Sequence, residues 1–520
     1  MKKVERAIIS LSNKEGIANF ANELKKLDIE ILSTGGTAKK LRDGGVKVTE
    51  ISEYTESPEI MNGRVKTLHP RVHGGILGIR ENDDHLEDMK KNKIKPIDMV
   101  VVNLYPFEEV VKKEGTSLEE AIENIDIGGP TMLRAAAKNY KYVTIVTDPA
   151  DYNPLIKELK KNKGAVYDET RLKLAKKAFA YVARYDAAIS NYLGGINNDG
   201  SINKLPSTYT LHLEKKMNLR YGENPHQDGS FYVESEFPEP SVANSIQLQG
   251  KELSLNNIYD TDAAFELIKE FSETACVVVK HNNPCGVATD EYLVQAFLKA
   301  KECDPISAFG GIVAFNTEVD ESTASELANM FLEVIIAPGF SEKAQYLLST
   351  KKNLRVLKTV NLENYKRSGF DFKKIVGGAL IQDRDLGTEN DFNDLVIETD
   401  RKPTDEELEA MKFAWKVCKH VKSNAIVFAK KDQTVGIGAG QMSRVDSVKL
   451  ATMKAQIPTK GSVLASDAFF PFRDGIDEAA EAGITAIVQP GGSIRDKDII
   501  EAANEHNMAM VFTGFRHFRH

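Results

Sequence analysis

The sequence predicts an α/β protein of more than one domain, and three observations carry that expectation. At 520 residues the chain exceeds what one hydrophobic core organises, so roughly two to four domains are expected. Its first part alternates short apolar runs with helical patterns, the rhythm of βαβ units around a mainly parallel sheet. Past a Gly- and Asn-rich stretch the alternation resumes with more glycine and phenylalanine, as in Phe309-Gly310-Gly311, Gly436-Ile437-Gly438-Ala439-Gly440 and Gly491-Gly492.

In chain order, Arg6–Leu11 reads as a strand followed by a helix over Gly16–Leu27, and Glu30–Leu32 with Thr37–Arg42 repeats the pair. Met99–Leu104 and Val143–Val146 are further strands. Ser117–Asn124 is a helix whose start, Ser117-Leu118-Glu119-Glu120, carries a capping-box pattern. A long helix containing Arg171–Tyr185 tails through Asp186–Tyr192 into Gly194-Gly195-Ile196-Asn197-Asn198-Asp199-Gly200-Ser201, the best linker candidate. Domains are therefore expected over 1–197 and 198–520. In the second part, the β-branched run Thr274–Val279 is a strand that meets Lys280-His281-Asn282-Asn283-Pro284-Cys285-Gly286. Adjacent strand residues face opposite ways, so Lys280 and His281 serve one substrate only if the backbone leaves the strand there, which Pro284 and Gly286 encourage. A weak two-fold likeness pairs Val277–Asn282 and Asp304–Gly311 with Lys422–Asn424 and Asp467–Gly475, suiting two similar subdomains.

A net charge of −8 argues against a surface dominated by nucleic acid. No stretch is long and apolar enough to span a bilayer. Cys276, Cys285, Cys303 and Cys418 form no C-x-x-C pair, and the N-terminus lacks a basic start followed by an apolar run, so secretion and a disulfide framework are not expected. A cytoplasmic location is the expectation.

Ser33-Thr34-Gly35-Gly36-Thr37 follows a strand and opens a helix, where glycines and free N–H groups suit an anion. The spacing matches neither G-x-G-x-x-G nor a Walker A motif, which favours a monophosphate; a plain βα turn is the competing reading. Ser10, Ser12 and Lys14 leave the first strand at the edge where open α/β sheets collect ligands. Asn62–Pro70 brings Arg64, Lys66, Thr67 and His69 into one loop, either a solvated basic loop or a phosphate clamp. Tyr105, Asp126 and Lys138 could supply a donor, an acceptor and a cation to carbonyl chemistry, or could pack and turn the chain.

Eight ordered motifs then make the chain resemble, from end to end, the family of bifunctional purine biosynthesis proteins that join phosphoribosylaminoimidazolecarboxamide formyltransferase to inosine monophosphate (IMP) cyclohydrolase. They are Ser33–Thr37, Gly63–Pro70, Asn103–Phe107, Asp126–Gly129 with Arg134–Lys138, Leu219–Gln227, Lys280–Gly286, Gly436–Arg444 and Ser466–Asp474. The resemblance implies a methylglyoxal-synthase-like N-terminal cyclohydrolase domain and a C-terminal transformylase of two cytidine-deaminase-like subdomains. It implies formyl transfer from 10-formyltetrahydrofolate to aminoimidazolecarboxamide ribonucleotide (AICAR), giving formyl-AICAR (FAICAR), then dehydrative closure of FAICAR to IMP. It also implies a homodimer, no tightly bound cofactor and no metal centre, with activation by a monovalent cation left open.

On the same resemblance His281 is the base, Lys280 the partner of the oxyanion or of folate N10, and Asn424 the group that orients the formyl. Arg220, Tyr221, Phe309, Arg444, Phe469, Asp474 and Arg516 hold substrates of the first reaction. Lys66, Tyr105, Asp126 and Lys138 serve ring closure, while Ser12, Lys14, Ser33, Gly36, Thr37, Arg64 and Thr67 hold the nucleotide and its phosphate. A zinc deaminase is disfavoured because Pro284-Cys285 has no second Cys three residues on. A lyase acting on dihydroxyacetone phosphate and a nucleotide-binding regulator without turnover also compete with this reading; the regulator would have lost Lys280-His281 or Lys138.

Overall fold

The computed structural model describes every residue except Glu236, Asn364 and Glu389. Two compact units divide the chain, Met1–His212 and Leu213–His520. The segment after the Asp168–Gly194 helix stays with the first unit, because Asn203 N–H donates to Gly195 O at 2.6 Å and Asn191 exchanges hydrogen bonds with the Thr210 backbone. The division therefore falls later than the linker signal at 194–201.

The first unit is a five-stranded parallel sheet in the order Thr49–Glu50, Glu30–Ser33, Arg6–Leu11, Met99–Asn103, Thr144–Val146. Met99–Asn103 is buried throughout, as a parallel strand covered on both faces must be. Gly128–Lys138 and Asp168–Gly194 pack on one face around Ile8, Val100 and Val102; Ile17–Lys25 and Tyr152–Lys161 pack on the other around Ile9, Ile31 and Val101. With all strands running one way, Leu11, Ser33 and Asn103 leave the sheet at a single edge.

The second unit holds a twelve-stranded sheet. From one border to the middle run Ile246–Gln249, Arg355–Lys358, Val334–Ala337, Ile312–Phe315, Ala275–Lys280 and Asn283–Thr289; from the middle outward run Gln433–Gly438, Ile426–Lys430, Val463–Ser466, Ala486–Gln489, Ala509–Phe512 and Val396–Ile397. The halves have the same topology: a strand, a helix, a hairpin, and then three helix–strand steps whose last strand pairs with the first. Helices Leu255–Ile268 and Asp405–Cys418 share one continuous core across both halves, which contains Phe265 and Trp415. Each half has its own core on the opposite face.

The halves meet through an antiparallel pairing, Ala288 opposite Gln433. An antiparallel seam puts the two hairpin turns, Lys280–Asn283 and Lys430–Gln433, at opposite sheet edges. This corrects the motif-level pairing expected from sequence. Lys422–Asn424 precedes its hairpin whereas Lys280–Asn282 forms the turn of the other, so the two are not repeat equivalents. They nonetheless share one edge, because the Ile426–Lys430 strand starts where Ala275–Lys280 ends. True equivalents are Gly286 and Gly436, where an added Cβ would overlap the carbonyl oxygens of Ala300 and Ala451 in the following helices.

Candidate active sites

In the first unit the Ser12–Lys14 turn is tied down by Asn103, whose Oδ1 accepts from Ser12 N at 2.7 Å and Asn13 N at 3.1 Å while its Nδ2 donates to Asn13 O at 2.7 Å. Gly35, at φ 50°, starts the Gly35–Asp43 helix, and the first intrahelical donor is Ala38 N–H to Thr34 O. The N–H groups before it have no intrahelical partner, as at any helix start, and such groups bind anions. Lys14 and Lys66 converge on this turn: the Lys66 ammonium lies 3.4 Å from where a Gly35 Cβ would be, and Lys14 Cε lies 3.7 Å from the Gly36 position. The Ser33 and Thr37 hydroxyls instead bond back into the first strand, to Ile9 O at 2.7 Å and Leu11 O at 3.0 Å. Their contribution to a phosphate would come from the backbone.

Asp126 and Tyr105 complete that edge. Burial pushes the Asp126 carboxyl up, opposed by N–H bonds from Gly129 and Tyr105 and by the nearby Lys66 charge. Burial also raises the Tyr105 phenol, and Asp126 adds to the rise. The coupling places Lys66, Tyr105 and Asp126 in one cluster. Thr67 joins it, its Oγ1 lying against Gly128, where a side chain would not fit. Arg64 pairs with Glu123, and His69 caps the Pro70–Leu77 helix by accepting Arg71 N–H at 3.1 Å. Tyr181 and Tyr185 went unread in the sequence, although both sit on the long helix as props: Leu104 N–H donates to Tyr181 Oη at 3.0 Å and Asp126 N–H to Tyr185 Oη at 2.8 Å.

Lys138 stands apart. It ends the Gly128–Lys138 helix whose first residue adjoins Asp126, which is about 15 Å of helix rise away. There it lines a separate cavity of about 670 Å³ with His73, Arg134 and Lys176, and the Arg134 guanidinium stacks on the Phe179 ring at 5.8 Å.

In the second unit Lys280 and Asn283 pair across a two-residue loop, with His281 at φ 52° and Asn282 at φ 61°. Two successive left-handed residues make a type I′ hairpin turn. The backbone thus leaves the strand at Lys280 as expected, but Pro284 and Gly286 do not make the turn: they lie inside the return strand at a register shift. A His in the left-handed region costs on the order of 1 kcal/mol, so its neighbours must hold it there. Lys280 Nζ donates to Phe309 O at 2.8 Å. Lys280, His281, Arg220 and Tyr221 line one cavity of about 660 Å³ with the start of the Leu255–Ile268 helix. Arg220 stacks on Tyr221 at 4.7 Å and donates to its hydroxyl at 3.2 Å. Lys280 and His281 also line a smaller cavity of about 240 Å³, with Cys285, Asp304 and Lys454. Burial pushes the Cys285 thiol up to about 12, so it is no thiolate at neutral pH.

Asn424 sits at the same edge. Its amide donates to Gln441 O at 2.9 Å and Met442 O at 3.2 Å, and its Oδ1 accepts from Arg444 at 2.8 Å. Arg444 is buried beneath it, bonded to Ser466 Oγ at 2.7 Å and to the Asp467 carboxylate at 2.6 Å; Ser423 closes the ring by donating to Asp467. The structure therefore places Arg444 under Asn424. Phe309 and Phe469 are partly exposed at this edge, Asp474 begins the Asp474–Glu481 helix, and Arg516 covers the Phe518 ring at 4.5 Å.

Residues 136–454 match the AICARFT/IMPCHase bienzyme family, and residues 16–131 match the MGS-like domain. The bifunctional purine biosynthesis protein PurH of Magnetococcus marinus is 54% identical over 533 aligned positions, covering all of both chains. The crystal structure of ForH shares 38% identity over 36% of this chain and 94% of its own, at a TM-score of 0.34. With more than half its length matched, and a relative this similar from end to end, the chain belongs to the AICARFT/IMPCHase bienzyme family.

Proposed function

We propose that the Leu213–His520 unit transfers a formyl group from 10-formyltetrahydrofolate to AICAR and that the Met1–His212 unit closes FAICAR to IMP. The observation that carries this reading is the single cavity shared by Lys280, His281, Arg220 and Tyr221, which offers a base, two cations and a phenol to one substrate. The AICAR amine is a weak nucleophile because its lone pair is delocalised into the ring and carboxamide. His281 takes the amine proton as the C–N bond forms, Lys280 steadies the formyl oxyanion, and the tetrahydrofolate nitrogen leaves with a proton. Arg220 presents a fork to the phosphate. Asn424 reaches the formyl oxygen by exchanging its longer bond, to Met442 O.

In the first unit the Gly35–Thr37 amides, Lys14 and Arg64 take the phosphate. The carboxamide nitrogen attacks the formyl carbon, Asp126 accepts its proton, Lys66 steadies the oxyanion and Tyr105 donates to the departing water. A raised Asp126 carboxyl suits proton uptake near neutral pH.

The reading includes a homodimer. Lys138 lies a helix length from Lys66, Tyr105 and Asp126, so its family role in cyclisation is met if it serves a second copy's site. Mixing inactive Lys66→Ala and Lys138→Ala chains should then restore cyclisation, and a lack of restoration in a proven mixed dimer would exclude this. Family resemblance also supports a monovalent cation as activator and a cytoplasmic location; among the described residues no helix is long and apolar enough to cross a membrane.

The decisive test supplies AICAR and formyl donor and follows tetrahydrofolate and IMP separately. His281→Ala should lower kcat for formyl transfer by about two to four orders of magnitude and spare cyclisation of added FAICAR. Formyl transfer within about tenfold of wild type in the folded variant would remove His281 as the base.

A further inference from the structure

Among the described residues, one side chain accepts the backbone N–H groups of His281 and Asn282. Asp260, on the Leu255–Ile268 helix, accepts His281 N–H through Oδ2 at 3.1 Å and Asn282 N–H through Oδ1 at 2.9 Å; Asn282 Nδ2 adds a third bond to Oδ1 at 3.0 Å. In a type I′ turn both central residues need positive φ, and a hairpin favours Asn or Gly there, so a His at the first position is not self-supporting. The two N–H groups that such a turn points away from its ladder are the two that Asp260 captures. The same carboxylate lines the cavity that contains Lys280, His281, Arg220 and Tyr221. Three N–H bonds thus tie this carboxylate to the turn, two through Oδ1 and one through Oδ2. Burial raises its carboxyl, while the two backbone N–H bonds and His281 oppose the rise and favour the charged form.

We propose that Asp260 is the positioning residue of formyl transfer: by clamping the backbone of the turn it aims the His281 imidazole at the AICAR amine. The inference rests on His281 being the base. It assigns a task to a residue lying 21 positions upstream of His281, on the helix whose start lines the cavity. Loss of the clamp should act on kcat, because near-attack geometry within about 1 Å is worth about a hundredfold in rate. It should act less on KM, because the Arg220–Tyr221 grip is untouched.

The test uses the full chain with formyl transfer followed by tetrahydrofolate release. Asp260→Ala should lower kcat by about a hundredfold with KM for AICAR within about threefold. Asp260→Asn, which keeps one acceptor oxygen and the side-chain shape, should recover part of that loss. In a His281→Ala background, Asp260→Asn should have no further effect, since a residue that acts through His281 has nothing left to aim. If Asp260→Ala does not fold, the Asn variant and its double-mutant cycle carry the test alone. Asp260→Asn at wild-type kcat would overturn the proposal, as would a loss that multiplies fully with that of His281→Ala. An active His281→Ala single variant would instead sink the underlying reading, which keeps the two failures distinct.

Discussion

Replacing Asp467 with Ala takes away the carboxylate that neutralises a guanidinium inside the C-terminal unit. The Arg444 and Asp467 side chains are 5% and 0% exposed and meet at 2.6 Å, so the truncation strands a positive charge with Ser466 Oγ and Asn424 Oδ1 as its remaining acceptors. Removing one partner of a buried pair costs about 3–5 kcal/mol, and the lost bond from Ser423 adds about 1 kcal/mol. Arg444 can escape that cost only by moving toward water, which releases Asn424. Either response disturbs the formyl-transfer edge. Trp415, the only tryptophan of the chain, is fully buried in this unit and bonded to Asp391 at 2.8 Å, so its fluorescence reports unfolding here. With a urea dependence of about 3 kcal/mol per molar, the Trp415 transition should fall by about 1–2 M. Formyl transfer should drop at least about tenfold, cyclisation should persist, and Asp467→Asn should fall between. An Asp467→Ala midpoint within about 0.3 M of wild type would refute this, showing that the buried charge is relieved in some other way.

Three further outcomes are expected. His517 bonds Asp385 and Asp391 at 2.7 Å each; burial alone would lower its pKa, yet the two carboxylates raise it to about 9. A folded value above the unfolded one means stability fully present below about pH 6.5 and lost as pH rises through about 9. The loss should amount to about 3 kcal/mol in the Trp415 transition, and His517→Gln should flatten it; an unchanged slope would dismiss the clamp. Gly36→Ala should fold normally, since its Cβ meets nothing closer than Lys14 Cε at 3.7 Å, but should raise KM for FAICAR by crowding the phosphate turn. Unaltered cyclisation kinetics would reduce that turn to a connector. Cys285→Ala should retain at least about a tenth of the formyl-transfer rate, as suits a buried neutral thiol outside the reacting set, and trapping a formyl thioester would contradict this.

Local signals in the sequence carried the N-terminal unit far. Apolar runs at strand period and Gly-led helix starts lie within a few residues of each other, so the Arg6–Leu11, Glu30–Ser33 and Met99–Asn103 strands, the phosphate turn and the Ser117 cap were all legible. The reactive motifs were also legible, because Lys280-His281, Lys66 and Asp126 are each embedded in short, distinctive runs. Tertiary structure alone decided where those motifs stand. Strand direction, which no local pattern encodes, put Asn424 beside the His281 edge and the hairpin turns of the repeat at opposite edges. Helix rise separated Lys138 from Asp126 although they are only 12 positions apart. The supporting groups were illegible for the same reason: Asp260, Tyr181 and Tyr185 act through hydrogen bonds to residues 21, 77 and 59 positions away. Sequence thus determined which chemistry this chain carries. Packing decided which groups share a site, because contacts between distant positions exist only once strands and helices have taken their directions.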